Sequence, residues 1–270
     1  MSEKQNPLGK VTDYPKRYAP DLLFPVPRSS CRDALAITQN LPFTGVDIWT
    51  AYEVCWLDMQ GKPQVRIAEF QMDATSINLV ESKSLKLYLF SLNEEKFDDD
   101  QAVKTLIEKD ISECIQGEVR VDLWPLEAFP STSGLPGDCI DDMDADCSSF
   151  ERDRQLLKVE SHAVKETMYS HLLKTNCPVT GQPDWASVWI SYSGEQTLAR
   201  ESLLSYLVSF RHHQDYHENC IEKIFVDLMA VLEPKDLMVY GRFTRRGGLD
   251  INPYRSTGNF EIPKIRVNRQ

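Results

Sequence analysis

Ser84-Leu85-Lys86-Leu87-Tyr88-Leu89-Phe90-Ser91 returns later in the chain as Ser202-Leu203-Leu204-Ser205-Tyr206-Leu207-Val208-Ser209. A repeat at this distance marks a chain built from two copies of one structural unit. Upstream of each octet lies a proline turn, Gly61-Lys62-Pro63 and Gly181-Gln182-Pro183. In the first half, Asp47 to Leu57 and Val65 to Met72 flank the turn and read as strands. Leu85, Tyr88, Leu89 and Leu92 then fall at i, i+3, i+4 and i+7, one face of a helix. A second helix carries Val103, Leu106, Ile107, Ile111 and Cys114, and Glu118 to Trp124 alternates as a strand.

The second half follows the same order. Leu156 to Leu173 is rich in strand formers, and Trp185 to Tyr192 is a strand. One helix has Leu203, Tyr206, Leu207 and Phe210 on a face, and another has Ile221, Ile224, Phe225, Leu228 and Leu232. Leu237 to Phe243 closes the pattern as a strand. Each half is therefore strand–strand–helix–helix–strand, with a further strand expected. This is an α+β class in which an antiparallel sheet carries both helices on one face. The expected organisation is a proline- and aromatic-rich surface arm over 1–45, a first module over 46–124, an acidic connection over 125–155 and a second module over 156–270.

Composition bounds the function. Hydrophobic residues make up 41% and charged residues 26% of the 270, as in soluble globular proteins. A net charge of −11 disfavours nucleic-acid backbones and anionic membranes as partners. No apolar run reaches membrane-spanning length, and Met1-Ser2-Glu3-Lys4-Gln5-Asn6 lacks the apolar core of a signal peptide, so a cytoplasmic protein is expected. Seven cysteines without a CxxC pair argue against a disulfide framework and a zinc ribbon. The acidic run Asp138 to Asp146 lacks EF-hand spacing and reads as solvated.

The chemistry lies in what the halves do not share. Asn176-Cys177-Pro178-Val179-Thr180-Gly181-Gln182-Pro183-Asp184-Trp185 holds a thiol and an acid at one tight turn. Such a pair is either a nucleophile with a proton donor beside it or a buried structural cysteine in a hairpin. At the corresponding register the first half has Leu57 and Gln64, so the hairpin itself does not require Cys177 or Asp184. The first half instead has Glu81-Ser82-Lys83-Ser84-Leu85-Lys86 at a helix start, where the second has Ala199-Arg200-Glu201-Ser202-Leu203-Leu204. A helix N-terminus with Lys83 and Lys86 favours an anion, and otherwise is a solvated start capped by Ser82 or Ser84. His217-Glu218 falls near the register of Asp98-Asp99. His213 and His217, four apart on a helix, have a spacing that suits a metal, or serve as local hydrogen-bond acceptors. A nucleophile and acids in one half, with a basic helix start in the other, point to one site composed from both.

Four separated motifs in order carry a family resemblance. They are Glu81 to Tyr88, Cys177 to Asp184, His217-Glu218, and Gly241-Arg242-Phe243-Thr244-Arg245-Arg246-Gly247-Gly248. Over essentially its whole length the chain resembles the long, two-module queuosine-pathway nitrile reductases, the QueF family. The resemblance implies a tunnelling fold, with sheets assembling into barrels across subunits, sites at module interfaces and a homodimer. It implies NADPH as co-substrate, although no GxGxxG follows a strand, and no metal. It implies that Cys177 adds to the nitrile of 7-cyano-7-deazaguanine as a thioimide, with Asp184 as proton donor and His217 assisting. Glu81, Ser82, Lys83, His217 and Glu218 would bind the substrate, and Lys83, Ser84, Arg246 and Gly247 the NADPH. The rivals are a zinc-dependent hydrolase of a pterin or purine nucleotide using Cys177, His213 and His217, a binding module with a structural Cys177, and a thiol protease.

Overall fold

The structure is a computed structural model that describes residues 14–37, 40–258 and 261–270. The chain divides into two compact units. The first holds the described residues up to Ala34, with Asp47–Phe129 and Arg245–Asp250; the second holds Leu35–Val46, Pro130–Thr244 and Ile251–Gln270. The grouping of 245–250 with the first unit was not visible as a composition shift. The architecture is mixed α+β.

In the first unit, β1 (Pro25–Pro27) and the short α1 (Ser29–Arg32) precede β2 (Thr44–Leu57, in this unit from Asp47). Then come β3 (Pro63–Asp73), β4 (Asn78–Val80), α2 (Ser82–Phe90), α3 (Asp100–Ile115) and β5 (Val119–Trp124). The sheet order is β5-β3-β2, and β1 pairs antiparallel with β4. Alternation on β3 buries Ala68, Phe70 and Met72. On α3 the fully buried Val103, Ile107, Ile111 and Ile115 recur every fourth residue, the stripe a helix turns toward a core.

The segment before β2 departs from the expected surface arm; its residues 1–13 lie outside the described ones. Leu23 and Val26 are buried, the Phe24 carbonyl accepts from Glu81 N at 2.9 Å, and Arg28 Nη2 donates to the buried Asp47 at 2.6 Å. An extended segment with a free edge satisfies its backbone by pairing, which the proline count concealed.

In the second unit, β6 (Asp138–Cys139), β7 (Val159–Asn176), β8 (Pro183–Leu198), α4 (Arg200–Val208), α5 (His217–Leu232), β9 (Asp236–Phe243) and β10 (Leu249–Ser256, in this unit from Ile251) follow one another. The order is β10-β9-β8-β7-β6, antiparallel except for the parallel β6–β7 pair. The acidic run is thus not only a solvated connection. Ile140 is fully buried, and its N–H donates to the Tyr169 carbonyl at 3.0 Å. One buried residue, Ile140, in a run with five acids was enough to anchor the segment on the edge of β7.

The repeat extends to hydrogen bonds. Tyr88 donates to Asp110 on α3, and Tyr206 donates to Asp227 on α5, each at 2.6 Å. Ser84 Oγ donates to the Glu81 carbonyl and Ser202 Oγ to that of Ala199, at 2.6 and 2.7 Å. α3 and α5 are both sixteen residues long and end on a left-handed residue, Gln116 and Glu233.

The second unit also holds a charge pair in its core. Arg255 Nε and Nη2 donate to Glu222 Oε1 at 3.1 and 2.8 Å, and both side chains are shielded from solvent. Breaking such a pair from one side leaves a buried charge and costs about 3–5 kcal/mol. Arg255→Met is therefore expected to lose about that much in urea unfolding, and Arg255→Met with Glu222→Leu to recover most of it.

Candidate active site

The turn that carries Cys177 is closed by two backbone hydrogen bonds, Cys177 N–H to the Gln182 carbonyl (2.8 Å) and Gly181 N–H to the Cys177 carbonyl (3.0 Å). Gly181 takes φ of +68°, a conformation glycine adopts without steric cost. The β7–β8 ladder ends at Asn176↔Pro183, so Cys177 sits one residue beyond the last pair and Asp184 one residue inside it. Both are buried, at 2% and 5% exposure.

Asn176 fixes the position of the thiol from the other side. Its N–H donates to the His213 carbonyl (2.8 Å), and Asp215 N–H donates to the Asn176 carbonyl (3.1 Å). These bonds hold the entry to α5 against the end of β7. α5 begins at His217, with Glu218 next, and both are buried in its first turn. An acid there is favoured by the helix dipole. His217 Nε2 lies 3.5 Å from Asp184 Oδ1, and its ring packs on Phe243 with centroids 4.1 Å apart. Cys220, one turn on from His217, is fully buried; burial pushes its thiol pKa well up, with a further contribution from the charge of Asp215.

The second unit pairs Asp184 with His217, with Cys177 in the turn between β7 and β8 and Glu218 next to His217 in α5. His213 belongs elsewhere. Its Nε2 is 3.0 Å from Lys223 Nζ and 3.5 Å from Asp215 Oδ2. Burial raises the Asp215 pKa, but hydrogen bonds from His213 and Lys223 outweigh it and hold the carboxyl at about 2. This ion cluster buttresses the α5 start. Sequence reading missed it, although Asp215 just before the helix and Lys223 two turns later are the spacing that allows it. Among the described residues, Cys177, His213 and His217 do not gather their ligand atoms into one cluster, which removes the geometric support for the zinc rival.

The first unit repeats this hairpin with different chemistry, and it corrects the expected register. Asp58 N–H donates to the Lys62 carbonyl (3.0 Å) and Gly61 N–H to the Asp58 carbonyl (2.9 Å). Leu57 exchanges backbone bonds with Glu95 and Phe97 as Asn176 does with His213 and Asp215. The counterpart of Cys177 is therefore Asp58, and Leu57 corresponds to Asn176. The second turn is one residue longer, which displaced the letter-by-letter match. Gln64 remains the counterpart of Asp184, and its Nε2 donates to Asp58 Oδ2 at 3.2 Å. By helix start, His217 corresponds to Asp100, not Asp98.

At the start of α2 the cap is Glu81, not Ser82 or Ser84. Its carboxylate accepts from Lys83 N–H (2.8 Å), Ser84 N–H (2.7 Å) and Ser82 Oγ (3.3 Å). Burial raises the Glu81 pKa, and the backbone hydrogen bonds oppose it. Ser84 Oγ is committed to the fold, donating to the Glu81 carbonyl while it accepts from Phe24 N–H at 3.0 Å. Arg246 and Gly247 lie in the turn before β10, closed by Arg246 N–H to the Leu249 carbonyl at 2.8 Å. Gly247 (φ +64°) and Gly248 (φ +83°) line a shallow pocket with Ala51, Glu53, Lys86, Leu89, Phe90 and Leu249. Lys86 Nζ is 3.8 Å from Glu53 there. Lys86 is the cation among this pocket's lining residues.

A buried thiol at the hairpin end, with an acid–imidazole pair on the adjoining strand and helix, is a residue set that enzymes with a nucleophilic cysteine use. The comparisons narrow the class. A family model described as nitrile reductase, 7-cyano-7-deazaguanine-reductase N-term, matches residues 14–123, and one described as QueF-like protein matches 183–261. Similar curated proteins come from Saccharophagus degradans (51% identical, 97% of this chain and 98% of the relative), Teredinibacter turnerae (52%, 93% and 91%) and Dechloromonas aromatica (49%, 96% and 92%). Each is an NADPH-dependent 7-cyano-7-deazaguanine reductase. The chain belongs to this family of oxidoreductases. A solved archaeosine synthase QueF-Like, in the apo form, aligns with 37% of this chain and 98% of its own at 19% identity and a TM-score of 0.32.

Proposed function

We propose that this protein reduces the nitrile of 7-cyano-7-deazaguanine to an aminomethyl group, a step toward the modified tRNA nucleoside queuosine. The observation that carries the mechanism is the contact between Asp184 and His217 behind the Cys177 turn. A nitrile is a weak electrophile, so a soft sulfur nucleophile with an acid at hand suits it.

Asp184 takes the thiol proton of Cys177 and passes it to the nitrile nitrogen as the S–C bond forms, giving a thioimide. Two NADPH supply the two hydrides the reaction consumes. After the first reduction the C–S bond breaks, Cys177 leaves as thiolate, and the carbon remains as an imine within the closed site. The second reduction gives the amine, and two protons are taken up in all. His217 holds Asp184 and assists its proton transfers. Glu218 and Glu81 are the carboxylates suited to accept hydrogen bonds from the guanine-like edge, and Ser82 and Lys83 are the further substrate-binding residues that the family resemblance implies. Lys83, Arg246 and Gly247 hold NADPH, while Ser84, fully buried and bonded to Glu81 and Phe24, fixes the helix start and does not reach the cofactor. No metal takes part.

Nicotinamide absorbance followed against added nitrile is expected to show two NADPH oxidised per nitrile. A ratio of one, or no oxidation by folded protein, overturns the reading. We further infer that the two units are tandem tunnelling-fold modules, each with its helices on one face, that complete barrels with a second subunit. Light scattering during gel filtration is expected to give twice the 31.0 kDa chain mass; a monomer that turns over refutes the dimer.

A further inference from the structure

The edge of β7 carries a second constellation that the reductase chemistry does not use. Cys139, Asp141 and His171 place a sulfur, a carboxylate oxygen and an imidazole nitrogen within 4.8 Å of one another. The arrangement follows from strand geometry. Ile140 is buried, so its neighbours Cys139 and Asp141 both turn to the other side. The parallel register Cys139↔Tyr169 brings Asp141 level with His171. Gly137, at φ of +96°, lets the segment lie flush on β7, because a Cβ there would collide with the Thr167 carbonyl oxygen.

Two of the three donors are held by hydrogen bonds. The Asp141 carboxylate accepts from Ser170 Oγ at 2.6 Å and from His171 N–H at 3.1 and 3.2 Å. His171 Nδ1 is 2.6 Å from Ser187 Oγ, which orients the ring and leaves Nε2 as the nitrogen available to a ligand. Cys139 is exposed while Asp141 and His171 are half-buried, so a cation has a path in. Sulfur, nitrogen and oxygen donors gathered this closely suit zinc-class cations after a small inward adjustment, and hard cations such as Ca²⁺ and Mg²⁺ would require more oxygens.

We propose that Cys139, Asp141 and His171 form a site for a divalent transition metal of the zinc class, with solvent in the fourth position. The site lies outside the reductase machinery. Bound metal links the two-residue strand β6 to β7, a pairing that otherwise rests on a short ladder.

Cobalt(II) titration of the metal-stripped full-length protein tests this. One equivalent is expected to bind at micromolar concentration, with thiolate-to-cobalt absorption in the near ultraviolet. Cys139→Ser is expected to remove that absorption, and His171→Asn to weaken binding at least tenfold. Ser187→Ala, which only frees the ring, is expected to weaken it about 10- to 100-fold. Cys177→Ala is expected to bind cobalt as the native protein does. Reductase turnover in Cys139→Ser is expected to match the native rate and to show that the variant folds. The proposal falls if no equivalent binds, if Cys139→Ser and His171→Asn bind unchanged, or if the absorption disappears in Cys177→Ala instead.

Discussion

Cys177→Ala is expected to bind 7-cyano-7-deazaguanine and to reduce none of it. The loss in kcat is expected to be about 10⁴-fold or more, the scale seen when an enzyme loses its nucleophile. The variant should fold. Removing one buried sulfur costs less than about 2 kcal/mol, and the backbone bonds that close the turn run through Cys177 N–H and its carbonyl, which alanine keeps. Affinity should change little, because recognition is assigned to Glu218 and Glu81. Mass spectrometry of native protein mixed with the nitrile, without NADPH, should show the chain heavier by the whole mass of the ligand, since addition to a nitrile expels nothing. The adduct should map to Cys177 and be absent from the variant. A well-folded Cys177→Ala protein that keeps more than a hundredth of native turnover would make the cysteine structural. The first unit argues against that outcome, because Asp58 fills the same turn position and the hairpin closes with the same bonds.

How far the letters carried this reading depends on what they encode. Periodicity and the Ser84–Ser91 repeat were sufficient for the order of the long strands and helices, but not for the short β1, α1, β4 and β6, whose two to four residues are too few to show a period. Both octets became α2 and α4, and the buried Tyr88–Asp110 and Tyr206–Asp227 bonds show why a tyrosine recurs at the fifth place. The register of the hairpins was less legible. A one-residue difference in turn length moved Cys177 from the row of Leu57 to that of Asp58, and only the backbone hydrogen bonds report it. Caps were misjudged for a similar reason. Serine is the usual N-cap, but Glu81 has the longer reach, and its two oxygens satisfy both the Lys83 and Ser84 N–H groups. The anchoring of the acidic run by Ile140 and the Arg28–Asp47 pair depend on long-range partners, which local composition does not contain.

Asp184→Asn should leave the thiol in place and slow every proton transfer it needs. Asparagine is close in shape and keeps an oxygen within reach of His217, so the β7–β8 ladder and the α5 start should hold. It has no acidic proton to give. General acid catalysis typically contributes 10²- to 10⁴-fold, and kcat is expected to fall within that range while KM moves only a few-fold. Adduct formation without NADPH should slow by a similar factor, because the nitrile nitrogen must be protonated as sulfur adds. A structural role predicts the opposite division, with lower stability and weaker binding but an adduct rate near native. His217→Gln should cost less than Asp184→Asn if, as proposed, His217 acts through Asp184 across their 3.5 Å contact. The double variant should then be little worse than Asp184→Asn alone, because groups that act as one unit are not additive. Additive losses would place His217 on the substrate in its own right. Its neighbour Glu218 makes that a meaningful alternative, because both residues stand in the same buried turn of α5.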